Sequence, residues 1–312
     1  MALNDSTLAF LSVLAEADVK AFHEGTPEEA REAINMLMSQ GPKGSENVSI
    51  NDHFLPESGI VLRVVEPEVN PESIIVYYHG GGWVCGSIDG YETVARQLAV
   101  TAPAIVVLVD YRLAPEFPYP TAVNDCWQAL LWVDDNRDTF NGLDLPLVVA
   151  GDSAGGNLAA IMAQRSTKSG PKVAMQTLIY PATGTDLETP SSLDEENQLL
   201  LTRKDMVWFW DHYVGENTDR DDPEMAPVLS EELTDLPPTL VITAQHDVLR
   251  DDGKRYADTL ETAGVDVQYL EAEGETHGFM CVYGILPSCQ WAIDSIAAFI
   301  KEKRQWQNSK HR

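Results

Sequence analysis

Apolar positions along this chain follow two periods that alternate. Val48–Phe54 and Ile60–Val65 alternate apolar and polar residues with period two, which predicts an early hairpin. Ser73–Tyr78, Ala104–Val109, Leu145–Ala150, Val173–Tyr180, Thr239–Thr243 and Val267–Leu270 are short, nearly unbroken apolar runs rich in β-branched residues. Such runs suit strands buried on both faces. Between them the spacing changes to the helical one. Tyr91–Thr101, Thr121–Asn136 (Val123, Trp127, Leu130, Leu131), the stretch after Ala154 (Leu158, Ile161, Met162), Gly253–Ala263 and Ile285–Ile300 all show it. Strand and helix in regular alternation predict an α/β fold, a mostly parallel central sheet flanked by helices.

Two stretches break the alternation. The first forty residues read as two helices. Thr26-Pro27-Glu28-Glu29 has the form of a capping box with proline in the first turn, Ala30, Ala33, Ile34 and Leu37 follow at helical spacing, and Gly41-Pro42 ends the pattern. This acidic helical start differs from the β-rich chain after it and reads as part of a lid. Between about Gly184 and Asp222 the chain is polar and acidic, with one helix starting at Thr202. Its stripe Met206, Phe209, Trp210 and Tyr213 either forms the core of a small helical insertion or lines a pocket in part. The basic tail Lys301–Arg312 closes the last helix.

Composition narrows the function classes. A chain of 312 residues can bury a large core, as one α/β domain or as a core with an inserted cap. The 49 acidic against 21 basic residues, net charge −28, argue against nucleic-acid and anionic-membrane binding, which need a basic face. An acidic surface also suits a salty medium that screens self-repulsion. Cys85, Cys126, Cys281 and Cys289 show neither C-x-x-C nor metal-ligand spacing, so unpaired thiols in a reducing compartment and no bound metal are expected. The apolar run Leu8–Leu14 stops at Glu16 with no basic residues before it, too short for a signal peptide or membrane span, and the protein reads as cytoplasmic.

The chemistry centres on Gly151-Asp152-Ser153-Ala154-Gly155, a G-x-S-x-G set between a buried strand and an Ala-rich helix. Such a turn holds a serine hydroxyl clear of the backbone near a helix N-terminus, where developing negative charge is favoured. A nucleophilic serine needs a base, an orienter and an oxyanion hole. His277 follows the last strand and Asp247 the strand before it, in the chain order Ser153, Asp247, His277. His246 is a rival base, but its place beside Asp247 in sequence ranks it below His277; Asp251 and Asp252 are rival orienters a turn into the next helix. His79-Gly80-Gly81-Gly82-Trp83 ends another buried strand. Its glycines, with the N–H of Ala154, can present backbone donors to an oxyanion, while His79 reads as a brace for the loop.

These residues together resemble the hormone-sensitive-lipase-like (bacterial family IV) carboxylesterases of the α/β-hydrolase superfamily. The motifs are His79–Trp83, Asp110-Tyr111-Arg112-Leu113-Ala114-Pro115-Glu116, Gly151–Gly156, Asp247-Val248-Leu249-Arg250-Asp251 and His277-Gly278-Phe279, in order, over roughly residues 48 to 303. The resemblance implies an α/β-hydrolase fold with a helical cap, and a catalytic triad of Ser153, Asp247 and His277. It implies oxyanion donors at Gly81, Gly82 and Ala154. It also implies hydrolysis of small-molecule esters with short to medium acyl chains, no cofactor, and a homodimer among the expected states. Residues 1–45 and 184–222 then form the cap, and 46–183 and 223–312 the core. Trp83, Asp152, Phe209 and Tyr213 are expected at the substrate pocket. Gln245-His246 stand where the family often has a glycine and Val248 where proline is common, which bears on the local turn. An amidase or peptidase, an acyltransferase and a non-enzymatic small-molecule receptor are the alternatives on the same fold. The receptor predicts a lost triad member, and all three candidates are present.

Overall fold

The computed structural model describes residues 2–17, 19–140, 142, 144–215 and 220–310. Residues 1, 18 and 216–219 of the expected cap, and 311–312 of the basic tail, lie outside the described residues.

The N-terminal segment forms α1 (Asp5–Glu16) and α2 (Pro27–Met38). α2 starts as read: the Thr26 hydroxyl accepts from the Glu29 N–H and the Glu29 carboxyl accepts from the Thr26 N–H. Then come β1 (Val48–Leu55), β2 (Ile60–Pro67), β3 (Ser73–Tyr78), α3 (Ile88–Thr101), β4 (Ala104–Val109), α4 (Thr121–Asp135), β5 (Leu147–Asp152), α5 (Ala154–Lys168) and β6 (Val173–Ile179). A short α6 (Pro190–Leu193) and α7 (Arg203–Val214) follow. The chain ends with β7 (Thr239–His246), α8 (Arg250–Thr262), β8 (Val267–Thr276) and α9 (Pro287–Lys310).

The sheet has eight strands in the order β1-β2-β4-β3-β5-β6-β7-β8. β2 runs antiparallel to both β1 and β4, and every pairing from β4 to β8 is parallel. Strand alternation splits the core into two. Ile74, Val76 and Tyr78 of β3 face a cluster with Leu130 of α4, Leu158 of α5 and Leu260 of α8, whereas Ile75 and Tyr77 face one with Leu98 of α3 and Ile296 of α9. β3, β4 and β5 are buried along their whole length, which is why they carry no polar period.

The last two strands run further than their apolar runs. β7 continues through Ala244-Gln245-His246 and β8 through Glu271–Thr276. Polar residues that read as loop stay in the ladder because β7 and β8 pair as far as His246 and Thr276, with a register shift between Ala244 and His246.

Candidate active site

The serine turn is built by strand, turn and helix packed at very short range. β5 ends at Asp152, Ser153 adopts φ 55° and ψ −120°, and α5 begins at Ala154. A positive φ at a non-glycine residue stores strain of about 1–3 kcal/mol, which the surroundings must hold in place. Here the Ser153 N–H donates to the Ile179 carbonyl (2.9 Å), and the Ser153 carbonyl accepts from Asn157 (3.0 Å) and Ala182 (3.3 Å). The glycine after Ala154 follows from the same crowding: a Cβ at Gly155 would lie 1.9 Å from the Tyr78 carbonyl oxygen.

His277 and Asp247 each stand one residue beyond a strand end, β8 and β7 respectively. The imidazole Nε2 lies 2.9 Å from the Ser153 Oγ and Nδ1 lies 2.7 Å from the Asp247 Oδ2. The other carboxyl oxygen of Asp247 accepts the Leu249 N–H at 2.9 Å. That bond closes the turn where Val248 replaces the common proline. The Tyr180 ring packs 4.5 Å from the imidazole. The rivals point elsewhere. His246 is buried with its Nε2 unpartnered among the described residues. Asp251 accepts the Ser191 N–H, and Asp252 accepts the N–H groups of Thr183 and Gly184.

Opposite the serine, the His79–Trp83 loop lies over the end of β3. Gly81, Gly82 and Trp83 have φ of 116°, 60° and 61°. The N–H groups of Gly81, Gly82 and Ala154 donate to no acceptor among the described residues. Gly82 meets the cavity wall so closely that a Cβ there would stand 2.2 Å from the Phe209 ring. His79 braces the loop: its ring stacks on Tyr111 at 4.3 Å and its Nδ1 bonds the Gly80 carbonyl at 2.8 Å. Burial pushes this imidazole down to about 4.

Asp152 sits beneath the same loop. It accepts hydrogen bonds from the Tyr77, Tyr91 and Tyr180 hydroxyls at 2.9, 2.8 and 3.2 Å and from the Gly80 N–H at 3.1 Å. Burial raises its pKa against the pull of these donors. Read from sequence as a pocket residue, it touches the cavity but spends its hydrogen bonds on the loop. No motif announces the three tyrosines, since Tyr77 lies on β3, Tyr91 on α3 and Tyr180 just past β6.

A cavity of about 80 Å³ opens at Ser153 and His277. Gly82, Trp83, Met206 and Phe209 form part of its wall, and Phe22, Ile34, Leu37, Leu200 and Leu201 arrive from the helical segments outside the core. The stripe on α7 therefore divides. Met206 and Phe209 line the cavity, whereas Trp210 and Tyr213 are buried behind it. Tyr213 corrects the expectation that it is a pocket residue: its ring stacks flat on Trp83 at 4.4 Å and lies in the core, one turn further along α7 on the same face as Phe209. Of the wall residues missed in sequence, Ile34 and Leu37 belonged to an amphipathic pattern that marks a buried face but not what it faces. Cys281, also in the wall, bonds the Tyr91 hydroxyl at 3.3 Å, and burial pushes its thiol up to about 12. Among the described residues no cluster of histidine, cysteine and carboxylate side chains could hold a metal ion.

Comparison with known proteins agrees with this fold. A family model described as the α/β-hydrolase fold matches residues 75–281. The carboxylesterase NlhH of Mycobacterium tuberculosis is 41% identical over 249 residues, 78% of each chain. The esterase LipI of the same organism is 42% identical over 246 residues, 77% of each chain. Among solved structures, a fungal esterase from Rhizomucor miehei superposes with a TM-score of 0.90 at 34% identity, covering 100% of this chain and 99% of that one. A hyperthermophilic esterase from Pyrobaculum calidifontis gives 0.88 at 36% identity, with 97% and 99% covered. Fold, motif order and relatives agree: the chain belongs to the hormone-sensitive-lipase-like carboxylesterases of the α/β-hydrolase superfamily.

Proposed function

We propose that this carboxylic ester hydrolase works through Ser153 as nucleophile, His277 as general base and acid, and Asp247 as orienter. The observation that carries the reading is the unbroken line from the Ser153 Oγ through the imidazole to Asp247, with spans of 2.9 and 2.7 Å. As the Ser153 oxygen attacks the ester carbonyl, its proton passes to the His277 Nε2. Asp247 holds the Nδ1 proton and so keeps Nε2 free to accept; it also stabilises the imidazolium. The carbonyl oxygen, now an oxyanion, accepts from the N–H groups of Gly81, Gly82 and Ala154, which have no acceptor among the described residues. His277 gives its proton to the departing alcohol, leaving acyl-Ser153. Water then attacks the acyl group with His277 again as base, and the serine is released.

The small apolar cavity supports short to medium acyl groups. Residues 1–45 and 184–222 act as a cap over the core, a role supported by the wall residues Phe22, Ile34, Leu37, Leu200 and Leu201 around Ser153. The cysteines are all free thiols, which supports a reducing, cytoplasmic setting; among the described residues no helix is long and apolar enough to cross a membrane. Among the described residues β8 is an edge strand that pairs only with β7, which supports a homodimer across that edge.

Ser153→Ala is expected to abolish hydrolysis of p-nitrophenyl acetate and butyrate with an unchanged circular dichroism spectrum. Retained turnover in that variant would remove Ser153 from the mechanism. Faster cleavage of an anilide than of the matching ester by the native protein would favour the amidase alternative.

A further inference from the structure

The insertion that reaches the catalytic cavity with Leu200 and Leu201 first touches the core behind the triad acid. Ser191, on α6, is 0% exposed, and each of its polar atoms is bonded. Its hydroxyl donates to the Val248 carbonyl and accepts the Asp251 N–H, both at 3.1 Å. Its own N–H donates to the Asp251 Oδ2 at 2.8 Å, and its carbonyl accepts the Asn197 side-chain amide at 2.9 Å. Removing such a hydroxyl orphans two buried backbone groups, at about 1–3 kcal/mol each. The geometry it imposes on them is therefore stiff.

The Val248 carbonyl belongs to the same peptide unit as the Leu249 N–H, and that N–H donates to the Asp247 Oδ1 at 2.9 Å. A peptide unit is planar and rigid, so fixing its carbonyl fixes the direction of its N–H. Val248 has no ring to lock its φ, as a proline would. The restraint comes instead from Ser191, on a different element. One line of hydrogen bonds then runs from the Ser191 hydroxyl through this peptide to Asp247, and on through His277 to Ser153. Bonds in such a series polarise one another, which strengthens the hold on the carboxylate.

Neighbouring residues close the turn around Asp247. The Arg250 N–H donates to the Asp247 carbonyl at 3.1 Å. The Arg250 guanidinium donates to the Gln245 carbonyl at 3.1 Å and to the Asp251 Oδ1 at 3.2 Å, which joins the end of β7 to the first turn of α8. Asp252, next along α8, accepts the N–H groups of Thr183 and Gly184 at 2.7 and 3.0 Å. Two successive carboxylates thus fix residues 183–191, the root of the insertion, to the turn that carries the triad acid.

We propose that Ser191 is a positioning residue for the triad acid: through the peptide between Val248 and Leu249 it holds the Asp247 carboxylate in line with His277. This role rests on the reading of Asp247 as orienter given above. It puts a determinant of the chemical step on the insertion, outside the motifs that carry the triad.

The test measures kcat and KM for p-nitrophenyl acetate and butyrate, with competent sites counted by titration with a p-nitrophenyl phosphonate. In Ser191→Ala, kcat per competent site is expected to fall about ten-fold or more on both esters, with KM held within about two-fold. Asp251→Ala, which takes the carboxylate from the Ser191 N–H, is expected to lose kcat in the same way. Asp251→Asn, which keeps an acceptor there, is expected to recover most of that loss. Asp251→Ala carries the test if Ser191→Ala does not fold. A residue that acts through Asp247 has little left to do once Asp247 is changed. Adding Ser191→Ala to Asp247→Asn is therefore expected to lower kcat by less than about two-fold further. A full second loss in that double variant would overturn the proposal. So would native kcat per competent site in Ser191→Ala, or a loss confined to KM or different for the two esters, which would mark Ser191 as support for the cap alone. Asp247→Asn keeps the two readings apart. Native turnover there fails the orienter itself, whereas an inactive Asp247→Asn beside a fully active Ser191→Ala fails only the role of Ser191.

Discussion

Three histidines at one end of the sheet show how placement decides what a side chain can do. His277 is bonded on both ring nitrogens to groups that need a proton moved or held. His246 lies within the ladder opposite Thr276, and His79 is packed under Tyr111. In the sequence, the place of His246 beside Asp247 and of His79 at the head of a glycine loop set both below His277, which falls last in the order Ser153, Asp247, His277. Nothing local could show the Asp152 cage, which needs tyrosines that meet only after folding. His79 also carries a pH consequence. Its pKa falls from 6.5 to about 4 on burial, so between those values the unfolded chain binds a proton that the folded chain does not. Stability from this group is full above about pH 6.5 and is lost as pH drops towards 4. At 1.36 kcal/mol per pKa unit the loss is on the order of a few kcal/mol. Asp152, raised by burial, acts in the opposite sense, and comparison with a variant removes its share. Urea midpoints at pH 7.5 and 5 for the native protein and His79→Gln isolate the effect. The native protein is expected to lose more stability on acidification than the variant; equal losses would mean His79 is not held neutral by the fold.

At the scale of elements, α7 shows both the reach and the limit of periodicity. The spacing of Met206, Phe209, Trp210 and Tyr213 located a buried face and left open whether it met a core or a pocket. It meets both, because the cavity ends between Phe209 and Trp210. The two halves of that face should respond differently to truncation. Phe209→Ala widens the wall next to Gly82 and is expected to move the best p-nitrophenyl ester towards longer acyl chains. Trp210→Ala empties a fully buried site and is expected to cost about 3–5 kcal/mol of stability with the chain-length preference kept. A chain-length series with thermal melts distinguishes them, and a Trp210→Ala shift in preference without loss of stability would refute the division. The ends of β7 and β8 escaped sequence reading for a related reason. Glu271–Thr276 carries polar residues that a neighbouring strand and α1 satisfy, and neither is visible in the local pattern.

For the molecule as a whole, charge is the property sequence shows most directly and structure modifies least. Ion pairs tie down much of the scarce basic side: Arg63 bonds Asp52, Asp89 and Glu92, Arg31 bonds Glu116, and Arg165 bonds Glu224. With 49 acidic and 21 basic residues, the carboxylates still far outnumber possible partners, and their mutual repulsion opposes the compact state. The same net charge of −28 on each copy opposes the dimer proposed above. Salt acts on both. The screening length shrinks from about 30 Å at 0.01 M to about 3 Å at 1 M, so distant like charges cease to interact while short, partly buried pairs such as those of Arg63 persist. The melting temperature is therefore expected to rise by several degrees between 0.01 and 1 M sodium chloride, and the dimer fraction in sedimentation velocity to rise with it. Sodium sulfate would strengthen burial by itself, so chloride is the cleaner probe. A melting temperature that falls steadily over that range would mean that the ion pairs, not the surplus carboxylates, dominate the electrostatics of this fold.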